Sequence, residues 1–161
     1  MRTPRGSRIA RNQRLQEGAK PMAKERLPKP IYEQLAYFRY QIRKFIRFSE
    51  EAARSKGLTP QYHQLMLSIM GFPGREHATP KELAERLQIT PNSCIELIQR
   101  CEELDLVQRF PNPNDRRSIF IRLTDAAKEI LEELSEIHME ELKRAGLLEF
   151  KDYSHLDSNE A

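Results

Sequence analysis

Four arginines, Arg109, Arg116, Arg117 and Arg122, lie in or beside a run of turn-forming residues, Pro111-Asn112-Pro113-Asn114-Asp115. A guanidinium is always charged and carries a planar fork of donors. It therefore suits phosphate oxygens and the acceptor-lined floor of a nucleic-acid groove. None of the four is needed to build a small sheet. Upstream, Cys94, Leu97, Ile98 and Cys101 fall at i, i+3, i+4 and i+7 and make one apolar stripe. Asn92, Ser93, Ile95, Glu96, Gln99 and Arg100 stay on the other side of the same helix, which Thr90 opens. A helix with its polar side free can enter a major groove, where each base pair shows a distinct pattern of donors and acceptors.

Positioning such residues requires a particular order of elements. Thr79-Pro80-Lys81-Glu82 is a capping box with Pro at the first helical position, opening a short helix from Lys81 to Leu87 with Leu83, Ala84 and Leu87 facing inward. Three residues later Thr90-Pro91 opens the second helix, to about Leu104, with Ile89 buried in the connection. Leu106 to Phe110 reads as a strand. Ser118 to Leu123 reads as its return, with Ile119, Ile121 and Leu123 on one face and Phe120 and Arg122 on the other. Helix, short turn, helix and then a hairpin with a basic tip is the order of a winged helix-turn-helix.

Long helices flank this lobe. Ile31, Leu35, Phe38, Ile42, Phe45, Ile46 and Ala53 recur at helical spacing from Ile31 to about Ser55, and Gly57 stands just past the end. Thr59-Pro60 starts another helix with Leu65, Met66 and Ile69 inward, ended by Gly71-Phe72-Pro73-Gly74. Thr124 caps the last long helix, with Ile130, Leu131, Leu134, Ile137 and Leu142 on one face.

Charge divides the 161-residue chain unevenly. Residues 1–30 hold nine basic residues against two acidic, a net of +7, whereas the remainder holds eighteen against twenty-two, a net of −4. With six glycines and prolines and few apolar residues, 1–30 reads as a disordered basic arm, and Met22 offers a second initiator. The body is acidic, so any affinity for nucleic acid must come from local patches. No apolar run reaches the ~18 residues a membrane helix needs. Cys94 and Cys101 stand seven apart on one helix, about 10 Å between Cα atoms, too far for a disulfide. A reducing cytoplasm is the expected setting.

Other chemistry lacks its residues. His138-Met139-Glu140-Glu141 has no second His for a zinc-protease pattern. The chain has no Cys-x-x-Cys, no glycine-rich phosphate loop, no nucleophile elbow and no RNP-like motif. Neither an enzyme nor a bound metal or cofactor is expected.

Leu83-Ala84-Glu85-Arg86-Leu87, Leu106-Val107-Gln108-Arg109, Asp115-Arg116-Arg117-Ser118 and Leu123-Thr124, in that order, resemble the pattern of the MarR family over roughly residues 31–145. The resemblance implies a twofold dimer built by the first and last long helices. It also implies repression by occupying a promoter, in many relatives relieved by a small aromatic or phenolic ligand. Asp115 and Arg117 occupy the paired positions of the family wing, where Asp115 holds Arg117 by a charge-assisted hydrogen bond and leaves Arg116 freer. Ile95 and Glu96 depart from the Thr or Ser and the Arg that relatives often carry, so an unusual operator is expected. Asp105 replaces a usual Gly and must take the left-handed conformation. The reactive Cys of the family's peroxide sensors lies near the start of the first long helix, where this chain has none.

The expected architecture is mainly α. A winged helix-turn-helix lobe (58–124), of three short helices and a two- to three-stranded hairpin sheet, is flanked by dimerisation helices (31–56 and 124–145) and a C-terminal tail (147–161). The expected DNA-binding set is Thr90, Asn92, Ser93, Ile95, Glu96, Gln99, Arg100, Arg109, Asp115, Arg116 and Arg117. Tyr37, Phe38, Tyr40, Arg43 and His63 are the candidates for a ligand site. The expected activity is a homodimeric repressor on an inverted-repeat operator in double-stranded DNA. The alternative is a non-sensing architectural or constitutive DNA-binding protein.

Overall fold

The computed structural model describes residues 26–115 and 117–147. Its elements run α1 (Lys29–Ser55), α2 (Pro60–Met70), β1 (His77–Ala78), α3 (Pro80–Leu87), α4 (Pro91–Glu103), β2 (Val107–Pro111), β3 (Ile119–Leu123) and α5 (Asp125–Arg144). The expected mainly helical class with a small antiparallel sheet is present. Most of the basic arm, Arg116 and the tail from residue 148 lie outside the described residues. The arm reading also ran too far, because α1 begins at Lys29. Pro30 is tolerated there since the first turn of a helix has no use for its missing N–H.

The chain divides within α1 into two units, Met1–Ala36 and Tyr37–Ala161. In the first, Lys29 and Glu33 pair one helical turn apart at 3.5 Å, and Leu27, Ile31, Tyr32 and Leu35 are exposed. The second holds the rest of α1 and every other element.

Its core follows the local signals. Threonines cap four helices: the side chain of Thr59 accepts from the Tyr62 amide, Thr79 from Glu82, Thr90 from Ser93 and Thr124 from Ala127. Each capped helix then turns an apolar side inward. Leu65, Met66 and Ile69 of α2, Leu83 and Ala84 of α3, and the full stripe Cys94, Leu97, Ile98 and Cys101 of α4 are buried. Burial of each large aliphatic side chain contributes roughly 1.5–3 kcal/mol. The stripe of α5 is Ala127, Leu131, Leu134 and His138. Ile137, expected inside, sits at its edge with 36% exposed, because the buried line passes through His138 instead.

The sheet has the order β1-β3-β2, all antiparallel. Pro111 ends the edge strand β2, where its lack of an N–H breaks no ladder. β1 pairs His77 with Arg122 and Ala78 with Ile121. It brings His77 onto the face of β3 that alternation left to solvent. Phe120 is consequently buried, 4.4 Å from the His77 ring and 5.5 Å from that of Phe110. The expected outward Phe120 is thus corrected: the second face of the hairpin has an aromatic cluster of its own.

Candidate nucleic-acid interface

Two left-handed residues shape the reading unit. Gln88, with φ 54°, ends α3, and the connection Gln88-Ile89-Thr90 carries the chain into α4. Asp105, with φ 56°, turns the chain from α4 into β2, the conformation expected of it. Thr124 Oγ1 then donates to the Asp105 carbonyl at 2.7 Å while capping α5. One threonine therefore ties the exit of α4 to the start of α5.

The outer side of α4 presents Asn92, Ser93, Ile95, Glu96, Gln99 and Arg100 together, all exposed. Their mutual bonds set their postures. The hydroxyls of Thr90 and Ser93 lie 2.9 Å apart, Glu96 and Arg100 3.7 Å apart, and Gln99 donates to Glu103 at 3.4 Å. The Glu96 carboxylate therefore offsets the charge of Arg100 on this surface.

The hairpin tip is built from side chain-to-backbone bonds. Asn112 Oδ1 accepts from the Asn114 amide and Asp115 Oδ1 from the Arg117 amide, both at 2.9 Å. Such turns fix the backbone without using the arginine side chain. The expected grip of Asp115 on the Arg117 guanidinium is therefore corrected to a grip on its amide. Arg116 lies outside the described residues. Arg109 Nε donates to Glu102 of α4 at 2.9 Å, so this arginine bridges strand and helix at the base of the hairpin. Nothing in the local sequence marks Glu102 as its partner. Arg122 lies over the Phe110 ring at 5.1 Å and donates to Gln108.

A sequence profile of the MarR family matches residues 56–118, which span this whole helix-turn-helix and the hairpin to its tip. Over those residues the chain is similar to the MarR family. Among curated relatives it is 31% identical over 77 residues to the HTH-type transcriptional repressor MdtR of Bacillus subtilis, covering 47% of this chain and 46% of MdtR. The match thus spans about half the length of that relative. Among solved structures it is similar to AbsC of Streptomyces coelicolor, a MarR-family regulator, with 22% identity, TM-score 0.63, and 82% of this chain and 90% of AbsC covered. It is also similar to Sco3205 of Streptomyces coelicolor, another MarR-family regulator, solved in complex with DNA, with 20% identity, TM-score 0.61 and 82% of each chain covered. These two likenesses establish the fold.

The candidate ligand residues do not come together. Phe38, Tyr40 and Arg43 are exposed on α1, and Tyr37 borders a separate polar cleft with Glu141 and Arg144. Periodicity cannot tell whether an aromatic on a long helix faces a cavity or open surface. His63 alone of the set lines a cavity of about 460 Å³ formed by α1, α2 and α5. His138, which fits no zinc-protease pattern in the sequence, lines it too. Gln64 borders both this cavity and a cleft beside Ser93, Glu96 and Arg100 of α4.

The cysteines are buried and unbridged. Burial pushes the Cys94 thiol up and that of Cys101 up to about 12, so neither supplies a thiolate at neutral pH. Both fill the core as small hydrophobes.

Proposed function

We propose that this chain is a homodimeric regulator of transcription that binds an inverted repeat in double-stranded DNA in the cytoplasm. The observation that carries the reading is the polar side of α4, held clear of the core beside a hairpin whose tip is fixed by Asn112 and Asp115. In this reading α4 offers Thr90, Asn92, Ser93, Glu96, Gln99 and Arg100 to base edges and phosphates, with Ile95 suited to a thymine methyl. Arg116 and Arg117 enter the adjoining minor groove. Residues 58–124 are the DNA-binding lobe. Sco3205 was solved with DNA, which supports the same use of a shared fold.

Dimerisation is supported by α1. Phe38, Ile42 and Ile46 form an apolar ridge with 58%, 37% and 46% exposed, and contiguous exposed apolar surface of this kind marks an interaction site. A second copy covers it by twofold symmetry. Half-sites then lie roughly 10 bp apart, one helical turn. Repression follows from occupying a promoter, the role named for MdtR. A small, largely apolar molecule in the cavity behind α2 relieves it. Selection of bound sequences from a random DNA pool, followed by footprinting, tests the proposal. An inverted repeat is expected, and protection without sequence preference would reject it in favour of an architectural protein.

A further inference from the structure

The hairpin is gripped on both faces. On its core face Ile121 and Leu123 are buried, and Ile119 packs against the core. β1 pairs with β3 at Arg122 and Ile121 and goes no further toward the tip. One step nearer the tip, Phe110 faces Phe120 across the ladder. Their rings lie on the outer face, where His77 meets Phe120 at 4.4 Å and Phe110 at 5.4 Å.

Arg75 joins this outer face to the helix-turn-helix. Its guanidinium lies over the Phe120 ring at 5.3 Å and over the Phe72 ring at 4.3 Å. It also donates to Glu82 of α3 at 2.5 Å. Glu82 is itself held by the amide and the hydroxyl of Thr79, at 2.8 and 2.9 Å. Arg86 of α3 lies over the same Phe72 ring at 4.5 Å. The residue after Arg75, Glu76, accepts from Lys128 of α5 at 3.0 Å, so this stretch of backbone is tied on both sides. A planar guanidinium can lie against rings and meet a carboxylate at once, whereas an ammonium is a compact point charge. A hairpin anchored by one face alone can tilt about its base. A second grip on the opposite face, close to the tip, removes that freedom.

We propose that Arg75 is a positioning residue for DNA recognition: by tying the outer face of the hairpin to α3 through Glu82, Phe72 and Phe120, it fixes the tilt at which the tip meets the minor groove. Arg75 itself touches no DNA in this account. The proposal rests on the DNA-binding reading above, in which the hairpin tip enters the groove beside α4.

The test uses the full chain and a duplex carrying the selected inverted repeat with A·T-rich flanks. Arg75→Lys keeps a cation for Glu82 and removes the planar group from the two rings. It should weaken binding by about five- to tenfold in the parent chain, and by less than about twofold when added to Arg116→Ala with Arg117→Ala, because a tip without its arginines has nothing left to aim. Hydrogen exchange without DNA gives a second readout. In Arg75→Lys the amides of β2 and β3 should exchange faster while those of α4 keep the parental rate, since local openings are separate from global unfolding. Parental affinity in Arg75→Lys, an equal loss in the two backgrounds, or α4 amides accelerating along with the hairpin would each overturn the proposal. Failure of the underlying reading looks different: the double arginine variant would itself keep parental affinity, and the aiming role would fall with the hairpin contact.

Discussion

His63 of α2 and His138 of α5 stack face to face, with 4.8 Å between ring centroids and 22° between planes. Phe45 and Phe48 of α1 lie T-shaped to the His138 ring, with centroids 5.8 and 5.9 Å away. Three helices thus converge on two imidazoles, and Ser49 of α1 is bonded to one of them. A mostly apolar core accepts these rings only while His63 is uncharged.

That condition makes stability depend on pH. The unfolded chain takes up a proton on His63 near 6.5, whereas the folded chain resists until about 4. The folded state therefore binds fewer protons between these values, and its stability falls as pH is lowered through that window. The facing groups are Ser49 and Glu50 of α1, Gln64 of α2, and Ser135 and His138 of α5. The loss is on the order of 3 kcal/mol. Urea unfolding at pH 7.5 and 4.5 should show it in the parent chain and a much smaller loss in His63→Phe. Equal losses in the two would exclude His63 as the cause.

The capping box of α3 has a second partner. Burial raises the Glu82 pKa, but bonds from the Thr79 amide and hydroxyl and from Arg75 more than offset this and hold it below its ordinary value. Arg75 lies over the rings of Phe72 and Phe120, with its buried Nε unbonded among the described residues. Thr79→Ala should cost about 1 kcal/mol as a lost cap. Glu82→Ala should cost more, about 1–3 kcal/mol, because it also strips Arg75 of its carboxylate. Chemical denaturation of both variants checks the order.

Neither cysteine should react in the native state. A small maleimide at neutral pH should leave Cys94 and Cys101 unmodified for as long as the chain stays folded and label both in denaturant. Rapid native labelling would show that α4 opens from the core.

Replacing Phe38 and Ile42 by Glu should convert the dimer to a folded monomer, since both are exposed within one protomer and contribute little to its own core. Light scattering at micromolar concentration reads the outcome. A monomer in the parent chain would reject the dimer itself.

Wing and helix should fail differently on DNA. Arg116→Ala with Arg117→Ala should weaken binding to every sequence, most where A·T flanks narrow the minor groove. Glu96→Ala removes an exposed carboxylate from the polar side of α4 and frees Arg100 from its 3.7 Å pair. It should relax discrimination at one or two positions by roughly 1–3 kcal/mol. Affinities for the preferred operator and its single-base variants separate the two, and full affinity in the double arginine variant would remove the hairpin from the interface.

What could be read in the sequence is what lies within one or two helical turns. The Thr79–Glu82 box, the α4 stripe from Cys94 to Cys101 and the left-handed Asp105 are local, because caps, helical period and backbone sterics act over a few residues. Tertiary structure decided the rest, by bringing together residues that share no period. β1 is too short to alternate, yet it places His77 against Phe120 and buries a side chain that strand alternation turned outward. Glu102 takes Arg109, and the Arg117 amide takes Asp115, because the turns after α4 and at the hairpin tip set those distances. Tyr37, Phe38, Tyr40 and Arg43 looked as suited to a pocket as His63, since composition does not say which side of a long helix faces a neighbour. The meeting of α1, α2 and α5 chose His63 and added His138, because only the packing of separate helices encloses a space and stacks two imidazoles at its wall.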